Sequence, residues 1–200
     1  MTKNSFSLKI LLFAILLISL FGMNLEDVKA QAPCETGFTF TNMIITVNGC
    51  QYSVPVCYKC SPAALAATIV KLGAGPITPL DTNCTQTWDD EFVFADIMQQ
   101  VRNRIYLSEL CEVKPCNENP KVRMLFVVYS CWEKLSNQSI VACTSDAYCE
   151  TLYEACNNGS TIVWNTISGN LVGTPSCPAM PSGGNLIPGG GCYLLNPNCP

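Results

Sequence analysis

Cysteine content is the feature that most constrains how this chain folds. The sequence of 200 residues contains 14 cysteines and no histidine. An even number of cysteines in an exported chain is typical of a disulfide framework. We therefore expect no metal or cofactor, and we expect all of the following residues to be bridged: Cys34, Cys50, Cys57, Cys60, Cys84, Cys111, Cys116, Cys131, Cys143, Cys149, Cys156, Cys177, Cys192 and Cys199.

The beginning of the chain has the composition of an export signal. An apolar run over 10–23 follows two lysines, and it is short for a membrane span of about 20 residues. Val28-Lys29-Ala30 fits the small-residue cleavage rule. We predict a signal peptide over 1–30 and one secreted domain over 31–200, with no integral membrane segment after cleavage. In a bacterium the same signal would lead to the periplasm or the surface, and an uncleaved anchor is the alternative.

Strand-forming residues alternate with turn signals in the first part of the domain. Residues 38–47 and 50–54 flank Asn48-Gly49, and this dipeptide between two such runs strongly favours a β-hairpin. Pro55 has no amide donor, so we expect the second strand to lie at an edge or to bulge there.

Two segments are predicted to be helical. Ser61-Pro62 is a good start for a short helix over 63–72, because serine caps well and proline suits the first helical turn. Thr87 starts the longer candidate over 87–110, whose apolar residues recur at helical spacing.

The remaining segments favour strands and a cross-linked tail. Residues 122–132 are apolar enough for a buried central strand, and 139–143 favour a further strand. Residues 148–156 favour a hairpin with 161–164, although a helix over 148–156 is the alternative. The tail over 175–200 is rich in Gly and Pro and is predicted to be irregular but stapled by disulfides. The predicted class is α+β, with a mostly antiparallel sheet, one long helix and one short helix.

Charged residues are distributed unevenly. The formal net charge is −4, which argues against nucleic acid as a partner. No charged residue follows Glu154, and none lies between Glu35 and Lys59. The long uncharged C-terminal stretch is either covered by the rest of the domain or forms a surface for self-association.

Few residues favour catalysis. The absence of histidine removes the most common general base at neutral pH. Cys57-Tyr58-Lys59-Cys60 has the spacing of thiol–disulfide oxidoreductases, yet in a chain this rich in cysteine the two residues more often bond to different partners. Zinc binding by these two cysteines with Cys111 and Cys116 is a weaker alternative. The carboxylates over 89–96 are best explained as stabilising a helix N-terminus.

Three Asn-x-Ser/Thr sequons occur in predicted loops or turns, as glycosylation requires. They are Asn83, Asn137 and Asn158.

The sequence favours a non-catalytic function. We predict a disulfide-stabilised structural or interaction protein that assembles with itself, or with a surface partner, in an extracellular layer, filament or matrix. A monomeric binding or inhibitor module is the second hypothesis, and an oxidoreductase using Cys57 and Cys60 is the third.

Overall fold

The computed structural model describes residues 34–61, 66–81, 84, 91–143, 147–180 and 186–195. All of these belong to the unit Ala32–Pro200. The predicted signal peptide over 1–30 and the residues Asn83 and Cys199 lie outside the described residues.

Two β-sheets and one helix make up the described fold. The larger sheet has seven strands in the order β1-β2-β3-β5-β8-β9, with β4 also paired to β2, and the smaller has the order β10-β6-β7. All strand pairs are antiparallel except β3–β5, which is parallel. The elements are β1 (Thr39–Val47), β2 (Cys50–Lys59), β3 (Ala67–Leu72), β4 (Thr78–Pro79), α1 (Glu91–Leu107), β5 (Val122–Tyr129), β6 (Cys131–Lys134), β7 (Ile140–Ala142), β8 (Tyr148–Asn157), β9 (Ile162–Val172) and β10 (Cys192–Leu194).

The predicted hairpin around Asn48-Gly49 is confirmed. Val47 of β1 pairs with Cys50 of β2, and both turn residues have positive φ, 48° and 84°. This is the backbone that a two-residue turn between right-twisted strands requires. Alternate side chains of β1 are buried, so one face of the hairpin joins the core.

The expectation that Pro55 lies at an edge or in a bulge is wrong. β2 is an inner strand, and Pro55 pairs with Asn42 in an unbroken register. The backbone of Pro55 faces away from β1, toward the side where β2 pairs with β4 and β3. On that side, β4 pairs with β2 as far as Ser53 and β3 pairs with β2 from Val56 onward. Pro55 lies in the gap between them, so its missing N–H removes no hydrogen bond between strands.

The predicted short helix over 63–72 is also wrong. Ala67–Leu72 forms β3, and 62–65 lie outside the described residues. Thr68, Val70 and Leu72 are all buried on one face, which is the alternation of a strand. Pairing with β2 on one side and β5 on the other overrides the alanine-rich helix propensity of the segment.

The long helix is confirmed over a shorter range than predicted. Residues 85–90 lie outside the described residues, and α1 ends at Leu107 instead of Leu110. The predicted apolar stripe of Phe94, Ile97, Val101 and Ile105 is buried against the sheet. Among the described residues, no helix has the length and hydropathy needed to cross a membrane.

The predicted central strand over 122–132 divides between the two sheets. β5 lies in the middle of the large sheet, and after Ser130 the chain continues into β6 of the small one. Trp132 at this junction is fully buried, with its ring 5.1 Å from that of Phe94 and its indole N–H donating to the Tyr129 carbonyl. The junction therefore connects the small sheet to the helix and to β5.

The C-terminal segments complete both sheets. The hairpin of β8 and β9 is confirmed, so the helical alternative for 148–156 is wrong. The tail is less irregular than predicted, because β10 pairs with β6. The strand 139–143 is confirmed as β7.

Candidate functional site

Disulfide bonds connect many segments of the described fold that are distant in sequence. The six bridges between described residues are Cys34–Cys57, Cys50–Cys84, Cys60–Cys111, Cys116–Cys156, Cys131–Cys177 and Cys143–Cys192. Cys149 is also disulfide-bonded. No described cysteine is free. Extensive bonding of this kind is typical of extracellular proteins.

The C-x-x-C pair is divided between two bridges. Cys57 bonds to Cys34 and Cys60 bonds to Cys111, so the two residues do not bond to each other. A dithiol oxidoreductase requires the opposite arrangement. Cys116 is bonded to Cys156, so all four sulfurs of the zinc alternative are held in disulfides.

Two of the three sequons lie on exposed turns. Asn137 is exposed between β6 and β7, and its Oδ1 accepts from the Ser139 N–H. Asn158 is exposed between β8 and β9, and its Oδ1 accepts from the Ser160 and Thr161 N–H groups. Both remain candidates for glycosylation on grounds of exposure.

The uncharged C-terminal stretch is partly core and partly surface. Leu186 and Leu195 are each 2% exposed and pack into the core. In β9, by contrast, Val163, Ile167 and Leu171 are 45%, 43% and 47% exposed. The rest of the domain therefore covers one part of this stretch, while another part is exposed.

The strand β9 forms one edge of the large sheet. It is 11 residues long and pairs only with β8 among the described strands. Natural edge strands are commonly protected by charged residues or proline, and β9 contains neither. It does contain a bulge, opposite Leu152 and Tyr153.

The strand β1 forms the opposite edge and is also uncharged. It is nine residues long, with no proline and no bulge, and Phe40 and Ile44 are 44% and 40% exposed. The lack of charge in this segment is evident from the sequence, whereas its place at a sheet edge is not. β1 is an edge strand because β3 occupies the other side of β2, and β3 was predicted as a helix.

Backbone groups of β1 point outward at alternate residues. The Gln51 carbonyl accepts from the Leu80 N–H, so the backbone groups of Gln51 point away from β1. Thr46 lies opposite Gln51 in a pair without mutual hydrogen bonds, so its backbone groups point away from β2. Phe40, Asn42 and Ile44 follow the same alternation. The Thr46 carbonyl accepts from Gln100 Nε2 of α1 at 2.8 Å. Asp96 Oδ2 holds the same amide at 3.1 Å, so this part of the edge is already occupied.

A groove of about 580 Å³ lies on the sheet face opposite α1. Its charged residues include Lys71, whose Nζ lies 2.9 Å from both carboxylate oxygens of Glu35 and 4.8 Å from the ring centroid of Phe38. The cation of this groove is therefore neutralised by its neighbour.

A second pocket, of about 300 Å³, lies between α1 and the sheet. Arg102 lines it, and its guanidinium carbon lies 4.3 Å from the ring centroid of Tyr153 and 5.7 Å from that of Trp164. Burial lowers the pKa of Arg102, an effect that Tyr153 partly offsets. No signal in the sequence identified this residue, because its aromatic neighbours lie in distant strands.

The acidic cluster predicted at the start of α1 is only partly described. Asp89 and Asp90 lie outside the described residues, and only the backbone of Glu91 is described. Asp96 accepts a hydrogen bond from Gln100 one turn later on the helix. No group of metal-ligating side chains occurs within the described residues.

Comparison of the chain with known protein families, with curated proteins and with solved structures found no match. The functional interpretation therefore depends on the geometry of the two edges and the two pockets.

Proposed function

We propose that this chain is a secreted, disulfide-stabilised structural protein that assembles by pairing β1 of one copy with β9 of the next. The observation that carries the proposal is that both edges of one large sheet are long, uncharged strands with exposed apolar side chains. The chain has a non-catalytic role in this proposal, consistent with a sequence that lacks histidine.

Edge pairing satisfies backbone groups that have no backbone partner among the described residues. Each outward N–H and C=O of Phe40, Asn42 and Ile44 gains a partner when another strand is added, as in β-augmentation. Because neither edge carries an ion, no charge has to leave water during pairing. The apolar side chains at each edge add hydrophobic burial of roughly 25 cal/mol per Å².

The positions of the two edges favour an open assembly. β1 and β9 lie on opposite sides of the sheet, so a contact between them joins different surfaces of the two copies. Contacts of this heterologous kind form rings if the rotation closes and filaments if it does not. The strand lengths of nine and 11 residues are similar enough for one to cover the other.

Charged substitutions on each edge test the proposal. Ile44→Lys on β1 and Leu171→Lys on β9 place an ammonium group at an exposed position, where it would face desolvation on pairing. Each substitution should reduce the assembled fraction in sedimentation at matched protein and salt concentration. Leu107→Lys is the matched control, because Leu107 is 55% exposed at the end of α1 and away from both edges.

Two results would contradict the proposal. A wild-type protein that stays monomeric at high concentration has no edge pairing of useful strength. An equal loss of assembly in Leu107→Lys would show that added charge acts regardless of position. Leu186→Lys is not a test of assembly, because Leu186 is 2% exposed and the substitution would disturb the core.

The second candidate function is a monomeric binding module. The observation that favours it is the pocket beside Arg102, which contains a cation without a carboxylate partner among the described residues. A monomeric wild type would make this the better interpretation. The oxidoreductase hypothesis loses its geometric basis, because Cys57 and Cys60 are held by different partners.

A further inference from the structure

Arg102 is a partly buried cation with no anionic partner among the described residues. Its Nε is buried and makes no hydrogen bond. The ion pairs found among the described residues join Lys71 to Glu35 and Arg123 to Glu154, and neither includes Arg102. Its contacts are instead with the rings of Phe126, Tyr153 and Trp164.

Stacking on aromatic rings compensates only part of the cost of burying a guanidinium. A cation over an aromatic face gains roughly 0.5–2 kcal/mol, whereas donors that lose water without gaining a partner cost about 1–3 kcal/mol each, or more when charged. Among the described residues the buried Nε–H of Arg102 has no acceptor, and guanidinium N–H groups are the groups that bind oxyanions.

The pocket next to Arg102 has the composition of a site for an amphipathic ligand. The helix contributes Ala95, Met98 and Gln99 to its wall, and the sheet contributes Phe126, Val128, Cys149, Thr151, Tyr153 and Thr166. Most of these side chains present carbon, while Gln99 and the two threonines add neutral polar groups. Among the described residues that line the pocket, Arg102 alone is charged.

We propose that this pocket binds a small carboxylate with a short apolar body, with the carboxylate on the Arg102 guanidinium and the body between Met98 and Val128. Its volume of about 300 Å³ is at the lower end for ligand pockets, which limits the ligand to a small molecule. A guanidinium matches a carboxylate through two parallel hydrogen bonds. A phosphate or sulfate without an apolar body would leave the carbon-lined walls unfilled.

Hexanoate and hexanamide are suitable probes, because they have the same apolar body and differ in charge. Binding is followed in NMR titrations by the indole N–H signal of Trp164, a ring that lies 5.7 Å from the guanidinium carbon of Arg102. Hexanoate should bind roughly tenfold or more tightly than hexanamide, the preference expected when a hydrogen bond acquires a charged partner. Equal affinities for the two probes, or no binding of hexanoate, would overturn the proposal.

Arg102→Met removes the charge while keeping most of the side-chain volume. It should lower hexanoate affinity to the level of hexanamide. Arg104→Met is the matched control, because Arg104 is exposed on the same helix and does not line the pocket. The same loss in both variants would mean that overall charge, and not this site, attracts the probe.

Ala95→Phe keeps the test decisive if Arg102→Met fails to fold. Ala95 is an exposed residue at the pocket wall, so a larger side chain fills the pocket without entering the core. This variant retains Arg102 and should lose binding of both probes. Unchanged hexanoate binding by folded Ala95→Phe would show that the ligand lies elsewhere. Because Ala95, Arg102 and Arg104 all lie on α1 and not on an edge strand, these substitutions leave both edges unchanged.

Discussion

Burial changes the chemistry of single side chains in ways that residue type alone does not indicate. Tyr106 of α1 stacks on Trp164 with ring centroids 5.5 Å apart, and burial raises its pKa to about 12. Its hydroxyl makes no hydrogen bond of normal geometry, and nearby Thr68 only partly offsets the effect of burial. The helical periodicity predicted a buried stripe on α1, but Trp164, in a distant strand, was not predictable as a neighbour.

We expect the free energy of unfolding to fall between about pH 10 and pH 12. The pKa of Tyr106 is about 12 when folded, against 10.0 for an unperturbed tyrosine. Its contribution is therefore fully present below pH 10 and is lost as pH rises through 12, at up to about 1.4 kcal/mol per pH unit. In denaturant titrations, the free energy of unfolding of Tyr106→Phe should decline less steeply with pH than that of the wild type. The decline that persists in the variant includes a contribution from Tyr52, because burial raises the pKa of Tyr52 as well. Identical slopes for both proteins would contradict the assignment.

At the scale of elements, local signals predicted the hairpins and the long helix but not the order of strands. Asn48-Gly49 and Asn158-Gly159 mark real turns because their residues suit the positive φ that such turns need. The strand β3 was missed because it has only six residues and follows an alanine-rich segment, and its identity depends on two neighbours distant in sequence. Both edges, and therefore the candidate assembly surface, depend on that long-range pairing.

Two glycines with positive φ should respond differently to substitution by alanine. Gly49→Ala should cost roughly 1 kcal/mol, because only the left-handed backbone opposes it and no atom lies within 4 Å of the added Cβ. Gly73→Ala should cost several times more, since its Cβ would lie 2.5 Å from Tyr129 Cδ2 and 2.9 Å from the Ala142 Cβ. Both costs are measured from the midpoints of urea unfolding, provided that the unfolding free energy depends on urea concentration with the same slope in each protein. Equal costs would show that packing around Gly73 relaxes freely.

At the scale of the whole molecule, the six bridges between described residues fall into two sets that do not cross. Three bridges lie within 34–111, and three lie within 116–192. Between these sets the chain is continuous only through 112–115, while the parallel ladder of β3 and β5 joins them without a covalent bond. The even cysteine count predicted full bridging, but spacing alone left the pairing open because it follows from the strand order.

Cutting the chain between the two sets should release two separate pieces without any reductant. A protease site inserted after Glu112, an exposed residue, would give two fragments on a denaturing, non-reducing gel after cleavage. Under native conditions the fragments should stay together, because the β3–β5 ladder and the core still hold them.

The control for this experiment is the same protease site inserted after Ser136. Ser136 is exposed in the turn between β6 and β7 and lies inside the loops closed by Cys116–Cys156 and Cys131–Cys177. Cleavage there should leave one covalent piece until reductant is added. A single piece after cleavage at Glu112 would mean that some bridge crosses between the two sets.

The division of the C-x-x-C pair between two bridges determines how the molecule carries tension. The shortest covalent path from Cys34 to Cys116 runs through the Cys34–Cys57 bridge, residues 57–60, the Cys60–Cys111 bridge and residues 111–116. This path has a contour length of about 40 Å, against about 280 Å for the same segment without bridges. The β1–β2 turn and α1 lie inside the two loops that these bridges close, so a pull between Cys34 and Cys116 puts no tension on them. Under such a pull, Tyr58 and Lys59 belong to a short, nearly inextensible link between two disulfides.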